Sequence, residues 1–220
     1  EGVKLPLSFA QRRLWFLHEL DPNEVAYNIP LALRLKGDLD IEALQKSFNT
    51  IVNRHEALRT VFKSKDGEPE QVIQPPCHRS IEVISLNTNT HDLDQMIQDE
   101  SSKPFDLENG PLIRIKLIQV KYQGEYLLLL NMHHIISDGW SMGVFVRELT
   151  ELYNAYRRGV EPDLDPLPIQ YADFSYWQRT WLEERLENQA SYWKEQLKDL
   201  PILDLPTDFP RVSNRGAVGE

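Results

Sequence analysis

The sequence predicts an α/β fold in which helices cover a mixed, mostly antiparallel sheet. The almost wholly apolar run Tyr126 to Met132 is typical of a strand covered on both faces, and Leu112 to Val120 alternates so that it can pair with that run. After Asp138-Gly139 the apolar residues instead recur at helical spacing, at Met142, Phe145, Leu149, Leu152 and Tyr156. This order of strands and helices, with at least two antiparallel hairpins, favours a layered architecture.

The first part of the chain predicts a helix, a strand and a second helix. Ser8 is a candidate N-cap for a helix that runs to about Leu20, and Tyr27 to Leu35 alternates as a half-buried strand does. Asp40 can begin the second helix, whose apolar positions form one stripe at Ile41, Leu44, Phe48 and Ile51. Because His55 continues this stripe, we expect it to be a satisfied core residue and not a catalytic one.

A β-hairpin is predicted next, from Thr60 to Lys63 and from Gln71 to Gln74, with Asp66-Gly67 as its turn. Arg59 then falls at the corner between the second helix and the hairpin. A buried guanidinium at such a corner needs a carboxylate partner. We predict a bidentate ion pair between Arg59 and Asp138 that fixes the loop between the buried strand and its following helix.

Three more helices are predicted, over Asp92 to about Lys103, Tyr171 to Leu186, and Gln189 to Leu197. Gly124 supplies the turn between the two main strands. The last two helices carry three large aromatic side chains that we expect to pack into the core: Trp177, Trp181 and Trp193.

A histidine pair followed by an acid stands at the end of the buried strand, in the stretch His-His-Ile-Ile-Ser-Asp-Gly. Neighbouring side chains of an extended chain point to opposite faces, so His133 and His134 cannot both face one pocket. One is expected to take part in chemistry and the other in packing. Ser141 is a candidate N-cap of the following helix, and backbone N–H groups near Gly139 are candidates for stabilising an oxyanion. The spacing alone leaves a metal site and a purely structural pair open.

Composition restricts the class of protein. The formal net charge of -10 over 220 residues argues against a nucleic-acid binder, and the longest wholly apolar run, Leu127 to Leu130, is too short to cross a membrane. The single cysteine, Cys77, excludes an internal disulfide, which suits a cytoplasmic protein, and leaves no cysteine cluster for a metal. The stretch 201–220 is rich in proline and glycine and is predicted to be a linker or crossover.

Four ordered motifs resemble those of the condensation domains of non-ribosomal peptide synthetases. They are Ser8 to Leu17 (SFAQRRLWFL), Arg54 to Phe62 (RHEALRTVF), Met132 to Ser141 (MHHIISDGWS) and Tyr171 to Trp177 (YADFSYW). A further match lies at Pro104 to Leu107, followed by Gly110-Pro111-Leu112. Because the motifs span the whole chain in order, the resemblance is far more specific than the His-x-x-x-Asp pattern alone.

The resemblance implies a lobe folded like chloramphenicol acetyltransferase, and a reaction in which one carrier-bound amino acid attacks the thioester of another. It implies that His134 is catalytic and that His133 is structural. Asp138 and Gly139 would support the site, with Asp138 paired to Arg59.

The resemblance also implies how substrates reach the site. No cofactor or metal would be bound directly, because the substrates arrive on the 4'-phosphopantetheine arms of donor and acceptor peptidyl carrier proteins. Trp140 and Ser141 are candidates for the walls of the substrate tunnel. An adjacent adenylation domain is a further expected partner, whereas nucleic acid and membrane are not.

Condensation domains have two lobes, and the resemblance covers about the N-terminal half. We expect residues 1–200 to be the N-terminal lobe and residues 201–220 to lead toward a C-terminal lobe, without which the lobe would be inactive. The third motif is similar to that of domains that join two L-configured residues. The alternatives are an acyl-CoA-dependent acyltransferase, an epimerisation-type domain of the same superfamily, or a non-catalytic docking platform.

Overall fold

A computed structural model describes residues 4–86, 90–120, 125–183, 185–203, 205–206 and 208. Within these ranges the helices are α1 Phe9–Leu20, α2 Ile41–Arg54, α3 Thr90–Ser101, α4 Gly139–Arg157, α5 Tyr171–Glu183 and α6 Leu186–Gln196. The strands are β1 Asn28–Lys36, β2 Thr60–Lys65, β3 Glu68–Ile73, β4 Glu82–Leu86, β5 Ile113–Val120 and β6 Glu125–His133.

The main sheet has the strand order β1-β6-β5-β4, with β6 in its interior. β6 runs antiparallel to both β1 and β5, so that Leu130 lies opposite Leu31 on one side and Ile115 on the other. β4 is parallel to β5 and is joined to it through α3, as a parallel pair requires. The mixed, mostly antiparallel sheet and the β5–β6 pairing are confirmed, whereas β4 was not predicted.

Helices cover both faces of this sheet. α2 and α4 pack on one face, where their apolar stripes meet alternate residues of the strands, including Phe48, Ile51, Phe145, Leu152, Leu117 and Leu128. α3 packs on the other face, against Ile118, Leu127 and Leu129. Because β6 is buried from both sides, its side chains do not alternate between apolar and polar, as a strand covered on two faces predicts.

Local signals at the ends of elements agree with the sequence. Ser8 forms a capping box with Gln11 at the start of α1, and the Asp40 side chain accepts a hydrogen bond from the Ala43 amide at the start of α2. β2 and β3 form the predicted hairpin, with Asp66 and Gly67 at φ of 53° and 80°. The predicted turn at Gly124 lies outside the described residues.

The aromatic side chains of α5 and α6 are not in the core, and that prediction was wrong. Trp177 and Trp193 are 52% and 55% exposed, and Trp181 is also exposed. Along α5 the rings of Trp177 and Trp181 stack with centroids 5.5 Å apart, so they contact each other on the surface.

Within the described part of the chain, no helix combines the length and the apolar composition that a bilayer crossing needs.

Candidate active site

The end of β6 separates the two histidines. His133 is the last residue of the strand and is only 3% exposed, whereas the His134 side chain is exposed. Their backbone amides point to opposite neighbours: the His133 N–H donates to the Leu112 carbonyl at 3.0 Å, and the His134 N–H donates to the Tyr27 carbonyl at 2.8 Å. The two side chains therefore do not share one environment, as strand alternation predicted: His133 is packed and His134 is accessible.

His133 holds the loop that follows it. Its Nδ1 accepts a hydrogen bond from the Ile135 N–H at 3.1 Å, so the ring is neutral there. The rings of His18, Tyr27 and Phe105 surround it at centroid distances of 6.0 to 6.4 Å. Burial lowers the pKa of His133 from 6.5 to about 4, with His18 and His134 adding to this effect.

Phe105 is itself held by an arginine. The guanidinium carbon of Arg114 lies 3.7 Å from the centroid of the Phe105 ring, and Arg114 donates to the Glu100 carboxylate and to the carbonyl of Lys103. Burial alone would raise the pKa of Glu100, but hydrogen bonds from Arg114 and Lys116 outweigh it, so this pKa is lowered. The packing around His133 thus rests on an ion-pair network at the sheet.

Asp138, and not Ser141, is the N-cap of α4. One carboxylate oxygen of Asp138 accepts hydrogen bonds from the Ser141 N–H at 2.8 Å and from the Ser141 hydroxyl at 2.6 Å. The Ser141 hydrogen bonds lower the pKa of Asp138. The predicted N-cap, Ser141, was therefore wrong by three residues toward the C-terminus. A carboxylate at this helix end also disfavours the oxyanion role suggested for the backbone near Gly139.

The predicted ion pair between Arg59 and Asp138 is absent, and that prediction was wrong. Arg59 contacts the Glu56 carboxylate at 3.2 Å and donates to the Gln74 carbonyl. Glu56 lies three residues earlier on the same short 3-10 helix, so it reaches the guanidinium with no long-range contact. Asp138 is engaged at the start of α4 instead.

A buried glutamine, which sequence reasoning missed, ties the histidine loop to α1. Gln11 is 3% exposed. Its side-chain nitrogen donates to the Ile135 carbonyl at 3.4 Å and to Gln71 at 3.2 Å, and its oxygen accepts from the Ser8 amide and the Ser175 hydroxyl. The Ser-x-x-Gln spacing of a capping box was the signal that could have identified it.

Glu148 is a second buried polar residue that the sequence did not single out. Its carboxylate lies 2.7 Å from Nε2 of His55 and 3.4 Å from Nε of Arg54. His55 is the C-cap of α2, and this contact confirms that it is a satisfied, half-buried residue. The cluster joins α2 to α4 on the face of the sheet that carries most of the core.

Two cavities flank the histidine loop. One of about 340 Å³ holds His134, with Asp138, Arg13 and Tyr27 in its lining. The other, of about 510 Å³, includes Trp140, which is 85% exposed. Of the two predicted tunnel residues, Ser141 borders both cavities and Trp140 the larger one.

An accessible imidazole beside a cavity can exchange a proton with a bound substrate. Across the described ranges, no three His, Cys, Asp or Glu side chains are close enough to hold a metal ion.

Comparison with known proteins identifies the family to which this chain is similar. A family model of the condensation domain matches residues 3–220. One of the linear gramicidin synthase proteins of Brevibacillus parabrevis is 50% identical over 94% of the chain, and malpinin synthetase of Mortierella alpina is 45% identical over 98%. The chain spans only 3% of the length of each of these relatives.

Solved structures share the fold. The X-domain from teicoplanin biosynthesis superposes with a TM-score of 0.85 at 28% identity, and the match covers 97% of this chain and 48% of that one. The first condensation domain of the CDA synthetase gives a TM-score of 0.78 at 23% identity, over 91% of this chain and 52% of that one. The predicted chloramphenicol acetyltransferase-like fold is confirmed, and with the family model matching nearly every residue, the chain belongs to the condensation domain family.

Proposed function

We propose that this chain is the histidine-bearing, N-terminal half of a condensation domain that forms a peptide bond. In this reaction the amine of the acceptor amino acid attacks the thioester carbonyl of the donor, the carbon–sulfur bond breaks, and the donor carrier's thiol leaves. The observation that carries the proposal is the separation of the two histidines. His134 is exposed beside a cavity, whereas His133 is buried and engaged by the Ile135 amide.

His134 is the residue that acts on the reacting groups. It accepts or orients the proton that the amine loses, and the departing thiolate takes up that proton. A positioned base contributes about a hundred- to ten-thousand-fold, and holding two tethered substrates in line contributes about 7 to 11 kcal/mol. Asp138 is unsuited to the role of base because its hydrogen bonds with Ser141 lower its pKa. It positions the loop by capping α4.

The proposed partners follow from the family. Donor and acceptor peptidyl carrier proteins deliver the substrates on 4'-phosphopantetheine arms. An adenylation domain lies next to the condensation domain. The reaction takes place in the cytoplasm. The chain matches about half of the solved condensation domain, which supports a second lobe that completes the site. Residues 1–200 form the first lobe in this proposal, and residues 201–220 lead to the second.

The test uses a two-lobed protein that contains this chain, with both carriers loaded. His134→Ala is expected to lower the rate of amide formation by at least about a hundred-fold while leaving the melting temperature unchanged, because the side chain is exposed. His133→Asn is the matched variant: Asn keeps an acceptor for the Ile135 amide but loses the packed ring, so we expect a lower melting temperature.

Unchanged condensation by His134→Ala would remove His134 from the mechanism. Turnover of an acyl-CoA in the absence of carriers would instead favour the acyltransferase alternative. Activity of the 220-residue chain alone with both loaded carriers would contradict the need for a second lobe.

A further inference from the structure

The larger cavity adjoins the one that holds His134. Four residues border both: Ile136, Ser137, Ser141 and Tyr171. The larger cavity extends from them between the end of α2, the first turns of α4 and the segment 167–174. Its volume of about 510 Å³ lies within the range of about 300 to 1,000 Å³ that is usual for small-molecule sites.

The lining of the larger cavity suits an apolar group. Leu58, Val144, Phe145 and Phe174 contribute aliphatic and aromatic surface. Among the described residues that line it, none is Asp, Glu, Lys or Arg. Its histidine, His55, is engaged by the Glu148 carboxylate behind it. A charged guest would lose its hydration there with no free counter-charge in the lining, whereas an apolar guest would gain from burial.

Ser137 adds a hydrogen-bonding group where the two cavities meet. Its hydroxyl oxygen is buried and has no hydrogen-bond partner among the described residues. Buried polar side chains are nearly always hydrogen-bonded, so an unpaired hydroxyl at the border of two cavities is a candidate ligand contact.

We propose that the larger cavity binds the uncharged, apolar side chain of one of the two condensing amino acids while its reacting end lies beside His134. The Ser137 hydroxyl then hydrogen-bonds to the polar group on the same Cα that does not react, which is the thioester carbonyl of an acceptor or the nitrogen of a donor. This inference rests on the proposed function, and it adds a substrate class: large aliphatic or aromatic residues, on either the donor or the acceptor.

Filling the cavity tests the proposal. Val144→Phe reduces its volume from α4, and Ala57→Leu reduces it from the short helix after α2, so that a folding defect in one variant leaves the other informative. Thr150→Phe is the matched control, since Thr150 is exposed on α4 and lies outside both cavities.

The first measurement is kcat/KM for the two-lobed protein, with phenylalanyl or glycyl groups placed in turn on the donor and on the acceptor carrier. On one of the two carriers, Val144→Phe and Ala57→Leu are expected to lower kcat/KM for the phenylalanyl group by at least about ten-fold. They are expected to lower kcat/KM for the glycyl group on the same carrier by less than about two-fold. The position affected identifies the substrate. Equal losses for both groups, or none, would overturn the proposal.

A second measurement requires no turnover, so it separates this proposal from the proposed function. Calorimetric titration of the 220-residue chain with the phenylalanyl amide of aminopantetheine, in which nitrogen replaces the thiol sulfur, should show tighter binding than titration with the glycyl amide. Val144→Phe should abolish the difference, and Thr150→Phe should keep it. Such a result would support the cavity even if no amide bond formed. Equal binding of the two amides by the unsubstituted chain would reject it.

Discussion

Two regions of the molecule place their apolar side chains in opposite ways. In the sheet layer, formed by β1, β6, β5 and β4 with α2, α3 and α4, they pack against one another, and Leu117 and Leu152 are fully buried. In the α5–α6 segment, residues 171–196, the tryptophan and tyrosine rings lie on the surface. The apolar side chains of the sheet layer are therefore buried by other described residues. The aromatic surface of α5–α6 is not covered by any described part of the chain.

The largest expected effect lies in the middle of the sheet layer. Leu117→Ala should lower the free energy of unfolding by roughly 2 to 5 kcal/mol, because it removes buried methyl groups and leaves a cavity between β5 and the helices. Urea denaturation of the 220-residue chain measures this. Leu117→Met is the control and should cost less than about 1.5 kcal/mol. Equal, small effects of both changes would mean that the sheet layer is not closely packed.

The second prediction concerns pH and the buried histidine at the end of β6. His133 has a folded-state pKa of about 4 against 6.5 when exposed. Between these values the unfolded state binds more protons, so stability is full above pH 6.5 and falls as the pH drops toward 4. The loss corresponds to roughly 3 kcal/mol, and His18, whose pKa burial also lowers, acts in the same direction.

Urea denaturation between pH 7 and pH 4 measures the slope, and His133→Asn should reduce it because Asn does not titrate. Carboxylates with lowered pKa values, such as Glu100 and Asp138, lose their contribution at lower pH. An unchanged slope in His133→Asn would show that another group controls this window.

The sheet layer could be predicted from the sequence because its signals are local. The apolar run of β6 and the alternation of β5 identified two strands and their pairing, and Ser8, Asp40 and Asp66-Gly67 marked ends and turns. β4 was missed because it is short and lies at the edge of the sheet. Its parallel pairing depends on a crossover that single-sequence periodicity does not reveal.

The site was predicted less completely because much of it depends on tertiary contacts. Strand alternation alone separated the roles of His133 and His134, but it could not say which one was accessible. The expected pair of Arg59 with Asp138 was wrong because each residue has a closer partner, Glu56 and Ser141. Glu148 was missed because a polar residue on a helix gives no sequence signal that it is buried. Gln11 had a signal in its capping-box spacing, but that spacing indicates a role at the helix start and not a contact with the histidine loop.

The third prediction concerns the residue that joins the two regions. Gln11 bonds Ser175 of α5 and the Ile135 carbonyl of the histidine loop, so Gln11→Leu should lower the free energy of unfolding by about 1 to 3 kcal/mol by leaving buried polar groups unpaired. It should also speed hydrogen exchange at Ile136 and nearby loop amides. Arg12→Ala, at an exposed ion pair with Glu68, is the neighbouring control and should change stability by less than about 1 kcal/mol. If the loop amides exchange at the same rate in both variants, Gln11 does not hold the loop.

The smallest expected effect lies in the α5–α6 segment. Trp193→Ser should change the stability of the 220-residue chain by less than about 0.5 kcal/mol, because the ring is 55% exposed and lies edge-on against the Tyr192 ring. In a two-lobed protein, the same change should lower the melting temperature if the second lobe covers this surface, since burial of an aromatic ring is among the larger contributions to an interface. Urea and thermal denaturation of both forms make the comparison. A large loss in the 220-residue chain alone would show that Trp193 already has its packing partner there, and the contrast between the two regions would fail.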